Sequence, residues 1–218
     1  MSACGATCGI TKVRAREKER VLATIEQAFP QFRWHASHTE ESAAVSGDEI
    51  EAIGAALEEL LPVRSIVRWR GECGYLYLLA GVHEPSLAEV VDTDRERVPG
   101  MPESETYVRI AFSRLGRFVT LQEVRMAVTR DADGASICEQ PIAGVEDRRL
   151  QLIVKGLQGA LKKLKVIVLD MAFVTEAPPG SDEQREYIAS FGQPPLLWAF
   201  LFEAAPPTTE SFHLIDPC

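Results

Sequence analysis

Glu105–Cys138 consists of apolar, β-branched and aromatic residues interrupted by polar ones and by two turn signals, a pattern typical of antiparallel strands. Turn residues at Ser113–Gly116 and Asp131–Gly134 divide this stretch into three strands of a meander. Two further strands are predicted near Val63–Arg70 and Tyr75–Gly81, joined by a glycine-containing turn. The pattern therefore predicts a mainly antiparallel sheet.

Three segments carry apolar residues at helical spacing instead. The first runs from Thr11, a capping residue, to about Phe29 and is closed by a proline. The second begins with Ser46 and Glu49 in capping-box register. The third, Glu146–Leu164, contains two glycines, for which close packing of the helix against the sheet is expected.

Two runs, Val166–Val174 and Leu196–Phe202, are apolar on both alternating faces, which predicts strands in the middle of a covered sheet. Between them Ser181 and Gln184 are spaced as a capping box, and Gly192 follows as a stop, so a short helix is predicted. Together these elements predict an α+β fold: a mainly antiparallel sheet with helices packed on it.

Composition divides the chain into a flexible leader at 1–10, a single α+β domain at 11–203 and a tail at 204–218. Residues 84–104 are predicted to form a long loop, because charged residues, proline and glycine replace the periodic pattern there. A loop of this length in a compact domain is usually functional or mobile.

The chain has 218 residues and a formal net charge of −9, which disfavours a dedicated nucleic-acid binder. Neither a signal peptide nor an apolar run long enough for a membrane span is present in the sequence. The five cysteines are scattered and odd in number, unlike a secreted disulfide framework: Cys4, Cys8, Cys73, Cys138 and Cys218. We therefore expect a soluble, cytoplasmic protein.

Two groups of residues partly match metal sites. The first has the residue types of a zinc site but not its usual spacing, and consists of Cys4, Cys8, His35 and His38. Asp131, Asp133 and Gly134 resemble the start of a calcium loop, but the third oxygen ligand and the distant bidentate Glu are missing. Asp-Gly between strands is better explained as a hairpin turn. We predict no metal and no cofactor.

Candidate catalytic residues are few. His83 and Glu84 are neighbours at the edge of the long loop and suit acid–base chemistry if they line a cleft. Cys73 lies in a turn, where a nearby base would be needed to activate it. Asp170 interrupts an apolar strand, and it either serves a site, pairs with Arg109 or Arg125, or marks a strand end. Phosphate-binding glycine loops, HExxH and GxSxG are absent from the sequence.

One region has charge of a single sign. Glu40–Leu61 contains seven carboxylates and no Lys or Arg. Its predicted helix carries Asp48, Glu51, Glu58 and Glu59 off the apolar stripe. Such a surface steers a basic partner and raises the association rate. The alternative is a solvated helix face without a partner. Acidic residues at the start of a helix interact favourably with its dipole, which accounts for Asp48 and Glu51. It does not account for Glu58 and Glu59, which lie at the unfavourable end.

The order of elements is similar to that of a known family. YVRIAFSRLGRFVTL (Tyr107–Leu121) precedes an amphipathic helix, after which come KVIVLDMAFV (Lys165–Val174) and LLWAFLFE (Leu196–Glu203). This order resembles bacterial immunity proteins of polymorphic-toxin systems, over about half the chain. The resemblance implies a small acidic α+β protein that binds and neutralises a toxin, and fold-level likeness does not establish function.

Three functional hypotheses follow. The first is a non-enzymatic protein-binding module, an inhibitor or immunity protein that occludes a basic partner through Asp48, Glu51, Glu58 and Glu59. The second is an enzyme or small-ligand binder with a cleft near the 84–104 loop that uses His83, Glu84 or Asp170. The third is a structural subunit in which Leu196–Phe202 completes a sheet shared with another chain.

Overall fold

The computed structural model describes residues 12–33, 45–60, 65–70, 76–81, 103–113, 115–131, 134–141, 148–202 and 210–213. The long helices are α1 (Ala15–Ala28), α2 (Gly47–Leu60) and α3 (Arg148–Lys163). Shorter helices follow at α4 (Met171–Val174), α5 (Arg185–Phe191) and α6 (Leu197–Leu201). Single 3₁₀ turns occur at Pro30–Phe32 and Ser181–Glu183.

The strands form one sheet. In chain order they are β1 (Ser65–Arg70), β2 (Leu76–Gly81), β3 (Ser104–Phe112), β4 (Phe118–Asp131), β5 (Gly134–Pro141), β6 (Ile167–Leu169) and β7 (Glu210–His213). The order in the sheet is β1-β2-β3-β4-β5-β7 with antiparallel neighbours, while β6 pairs in parallel with the start of β4. Asp131 pairs with Gly134 at the β4–β5 turn. The predicted α+β class, the meander and the first hairpin are confirmed.

Helices cover both faces of this sheet. Neighbouring side chains of β3 and β4 point to opposite faces, so each of these strands contributes to both hydrophobic clusters. Ala111 and Phe118 belong to a hydrophobic cluster with α1, α4 and α6, on what we call the α1 face. Ile110 and Phe112 belong to a second cluster with α2 and α3, on what we call the α2 face. The chain therefore buries apolar side chains in two layers that share one sheet.

The first two helices agree with the predicted apolar stripes, with changes at their ends. Helix α1 begins at Ala15 with Arg14 in the N-cap position, so the predicted start at Thr11 is wrong. Val21 and Ile25 on its apolar stripe are fully buried. In α2 the Ser46 hydroxyl accepts a hydrogen bond from the Glu49 N–H at 3.1 Å, as the predicted capping box requires.

The strand predicted at Leu196–Phe202 is wrong. Leu197–Leu201 is helix α6, and all five of its residues are buried. Phe200 packs edge-on against Phe29 and Phe32, with ring centroids 5.2 and 6.3 Å apart. Since a helix that is buried all round is apolar all round, a short apolar run cannot be assigned by periodicity. The hypothesis that this segment completes a shared sheet is contradicted.

The strand predicted at Val166–Val174 is only partly present. Ile167–Leu169 forms β6, and the chain then turns into α4 with Asp170 as its N-cap. The predicted stop at Gly192 is confirmed, because Gly192 takes the left-handed conformation (φ 72°) that ends α5. Ser181 starts a 3₁₀ turn rather than α5, so the capping box predicted with Gln184 is wrong.

Part of the predicted tail is structured. Glu210–His213, within 204–218, forms β7 and pairs antiparallel with β5. The predicted leader and the 84–102 part of the predicted loop lie outside the described residues.

Candidate functional site

The predicted acidic surface lies on α2. Its apolar stripe, which includes Ile53 and Leu57, packs against α3 and the sheet. The remaining positions therefore point away from the sheet. The four predicted partner-binding side chains are all exposed: Asp48, Glu51, Glu58 and Glu59. Leu60, at the end of the same helix, is 48 % exposed.

Arg117, in the β3–β4 turn, links the acidic helix to α3. Its Nε donates to Glu49 Oε1 at 2.7 Å, and its Nη1 donates to the Leu164 carbonyl at 3.2 Å. The guanidinium therefore joins the first turn of α2 to the end of α3. The Glu49 carboxylate suits the positive start of the α2 dipole, and the Arg117 cation suits the negative end of the α3 dipole. The contact places the start of α2 beside the end of α3, at the β3–β4 turn. Helix α2 leads into β1 at Ser65, which pairs with Gly81 at the opposite end of the sheet, whereas α3 leads into β6 beside Phe118 at the turn. The two helices, which share one hydrophobic cluster, therefore run in opposite directions. Sequence reasoning missed this cation because it is distant in the chain.

The outer face of α3 is basic. Arg148, Lys155 and Lys162 are exposed on one stripe of the helix. The same stripe carries Leu152, which is 68 % exposed. It also carries Gly159, whose added Cβ would meet no atom within 4 Å, so the expected packing of this glycine against the sheet is wrong. The two helices together present an acidic stripe beside a basic one, and we call this surface the two-helix face.

Asp170 occupies a strand end, one of the positions considered from the sequence. Its Oδ1 accepts a hydrogen bond from the Phe173 N–H at 2.8 Å and caps α4. Its Oδ2 accepts from the Val13 N–H at 2.8 Å, just before α1. The predicted pairing with Arg109 or Arg125 is wrong, because those side chains donate to Gln122 and Ser104. This carboxylate joins two segments of the chain.

Most of the other candidate residues lie outside the part of the chain that the structure describes. The structure leaves undescribed His83, Glu84, Cys73, Cys4, Cys8, His35, His38 and Asp133. Asp131 and Gly134 pair across the β4–β5 turn, in agreement with the hairpin interpretation. Among the described residues no group of three or more His, Cys, Asp or Glu is arranged to hold a metal ion.

A buried row of polar side chains lies on the α1 face of the sheet, and the sequence did not predict it. The Tyr107 hydroxyl donates to Glu105, and the Arg109 guanidinium donates to Gln122, its cross-strand partner. All four residues are buried. Alternation along β3 is the only signal for this row, because residues two apart share a face. The Arg109–Gln122 bond crosses from β3 to β4 and supports their pairing, and both bonds compensate part of the cost of burying the charges.

Glu123 is buried on the other face of β4, 8 % exposed. Burial disfavours its charged form and raises the pKa of the carboxyl to about 6. Val108 is its cross-strand neighbour and belongs to the cluster beneath α2 and α3. This carboxyl is therefore a titratable group beneath the helical layer that carries the two-helix face.

A separate pocket of about 760 Å³ lies on the α1 side of the molecule. It is bordered by the end of α1, the Pro30–Phe32 turn and residues 179–187, with Tyr187 buried in its wall. The side chain of Gln184 donates to the Phe32 carbonyl and holds the two borders together. The charged residues around it are Glu26, Arg33, Glu183 and Arg185.

Two residues of this pocket have strained backbone. Gln31 and Phe32 adopt positive φ values of 58° and 53°. Residues other than glycine rarely occupy this region of backbone conformation, and each one there lowers the stability of the folded protein by on the order of 1 kcal/mol or more. Strain of this kind clusters at binding sites, so the pocket is the second candidate site.

Comparison of the chain with models of protein families, with curated protein sequences and with solved structures finds no significant match. Within the described part of the chain, no helix has both the length and the apolar character needed to cross a membrane.

Proposed function

We propose that the chain is a non-enzymatic protein-binding module whose acidic helix α2 contacts a basic partner. The observation that carries the proposal is the exposure of Asp48, Glu51, Glu58 and Glu59 on a helix whose opposite stripe is buried. A single-sign surface of this kind raises the rate of association with a protein of opposite charge. Occlusion of such a partner is the action of an inhibitor or immunity protein, in keeping with the resemblance noted above.

The structure adds a condition on the partner. Because the basic stripe of α3 lies beside α2, a uniformly basic surface would be attracted by one helix and repelled by the other. The partner that fits is therefore basic opposite α2 and neutral or acidic opposite α3. Leu60 on α2 and Leu152 on α3 are exposed and supply apolar area on the same two helices.

The proposal is tested by affinity capture from the source organism, with elution by salt and with stoichiometry measured by mass spectrometry. The variant Glu51→Lys/Glu59→Lys is expected to lose the partner, with affinity reduced about tenfold or more. The matched control is Glu19→Lys/Asp182→Lys, which makes the same charge change at exposed positions away from the two-helix face. Equal capture by wild type and both variants would exclude α2 as the binding surface.

The pocket supports a second candidate function, the binding of a small ligand. Charges of both signs surround it, and Arg33 and Arg185 make no ion pair within the described residues. The ligands that fit are small zwitterions such as amino acids and dipeptides. Ligand-observed NMR with such a set should show binding that Arg33→Glu/Arg185→Glu removes. The lack of any binding would exclude this class of ligand.

A further inference from the structure

We propose that the two-helix face binds a second copy of the chain in a twofold-symmetric dimer, in which α2 of each subunit lies against α3 of the other. The inference concerns the face used in the proposed function but does not depend on a basic partner. The two-helix face is complementary to itself in charge.

The two helices carry similarly spaced outward stripes of opposite charge. On α2 the exposed positions 48, 52, 55 and 59 are Asp48, Ala52, Ala55 and Glu59. On α3 the exposed positions 148, 152, 155 and 159 are Arg148, Leu152, Lys155 and Gly159. In both helices the spacing is four, three and four residues, which keeps each set on one side of the helix.

Symmetry decides which groups meet. In the proposed dimer the twofold axis lies between α2 and α3 and is parallel to both helices. This axis places α2 of one subunit over α3 of the other, and the two facing helices run in opposite directions. Asp48 then lies at the Arg117 end, near the level of Lys162 of the second copy. Glu59 lies at the other end, toward Lys155 and Arg148 of the second copy. Acidic groups therefore meet basic groups at both ends, and each contact occurs twice.

Small and apolar residues occupy the middle of each stripe. Ala52 and Ala55 lie between the acids of α2, and Gly159 leaves open space on α3. An exposed glycine inside a helix reduces helix stability, and nothing in the described structure requires one at this position. Close approach of a second helix is the physical reason that the dimer supplies. Leu152, which is 68 % exposed, would be covered in this arrangement.

The size of the face predicts a weak dimer. Helix α3 has 16 residues, and is therefore about 24 Å long at 1.5 Å per residue. Two helices packed side by side give a flat area of about 480 Å² per subunit, below the roughly 800 Å² of a standard interface. We therefore expect a dissociation constant on the order of 10 to 100 μM and strong dependence on salt.

Sedimentation velocity tests the dimer by charge reversal. Glu59→Lys and Lys155→Glu should each weaken self-association about tenfold, because each change reverses two symmetry-related contacts. An equimolar mixture of the two variants should form a heterodimer, because both contacts are then again between opposite charges. Neither change disfavours the fold, since a cation at the end of α2 suits its dipole and position 155 is exposed. Glu19→Lys and Lys12→Glu, at exposed positions away from this face, are the controls.

Gly159→Ala provides an independent check. A Cβ at this position fits the monomer, so the variant should unfold at the same or higher temperature than wild type. The same methyl group should weaken self-association severalfold, because it lies where the two helices approach. If Gly159 served only the fold of the monomer, Gly159→Ala would not weaken self-association without also lowering the unfolding temperature.

The dimer is overturned if the wild-type protein sediments as a monomer at high concentration and low salt, or if mixing the two charge-reversed variants restores nothing. The proposed function fails separately. Lys155→Glu should weaken self-association about tenfold, while capture of a partner that is basic opposite α2 and neutral opposite α3 should stay intact, because the acidic side chains of α2 are unchanged.

Discussion

Asp170 joins two distant segments through its two carboxylate oxygens, which accept from the N–H groups of Phe173 and Val13. Asp170→Ala removes both acceptors, and we expect a loss of about 2 kcal/mol in unfolding free energy, from the helix cap and the second charged hydrogen bond. Urea unfolding measures this loss. Asp182→Ala, at an exposed acid without such contacts, should change the free energy by less than about 0.5 kcal/mol. An unchanged stability for Asp170→Ala would show that these bonds contribute nothing.

Glu123 should make stability depend on pH. Its pKa in the folded protein is raised to about 6 by burial, from an ordinary value of 4.5. Between these values the native state binds more protons than the unfolded chain, so stability falls as pH rises through this window. The loss is up to about 2 kcal/mol at neutral pH. Glu123→Gln should remove it and stabilise the protein at pH 7 but not below pH 4.5, as measured by denaturant unfolding. A parallel pH dependence in wild type and variant would contradict the assignment.

Single residues were predicted only where their neighbours in sequence decide their role. The Ser46 cap and the Gly192 stop depend on local backbone hydrogen bonds, and both are confirmed. Arg117 acts through contacts with Glu49 and Leu164, far away in the chain. No local pattern contains such contacts, so the sequence did not predict the part that Arg117 plays in holding the two-helix face.

At the level of elements, periodicity predicted the helices that have one buried side. Helices α1, α2 and α3 each expose their other side, so the apolar period identifies them. Strands β3 and β4 are buried on both faces along much of their length, and the turn residues between them identified the meander. The segment of α6 has no exposed side, because Leu197–Leu201 is buried all round. Its composition therefore fits a central strand and a buried helix equally well. The packing of Phe200 against Phe29, 171 positions earlier in the sequence, is information that only the folded chain provides.

For the whole molecule, the two hydrophobic layers raise the question of whether the chain unfolds as one unit. The α1 face and the α2 face are distinct clusters, but both are built on β3 and β4, through neighbouring residues such as Ala111 and Phe112. Loss of either layer would expose the opposite side of the same strands. We therefore expect cooperative unfolding, in agreement with the single domain predicted for 11–203.

Hydrogen exchange by mass spectrometry tests this expectation with one substitution in each layer. Leu157→Ala, in α3, should lower the free energy of unfolding by about 2 to 5 kcal/mol, and so should Phe200→Ala, in α6. Both side chains are buried, with exposures of 0 % and 2 %. If the layers unfold together, Leu157→Ala reduces the protection of amides in α1 and α6 as much as in α3. If protection falls only in α3, the two helical layers are independent units that share a sheet, and the single-domain prediction is wrong.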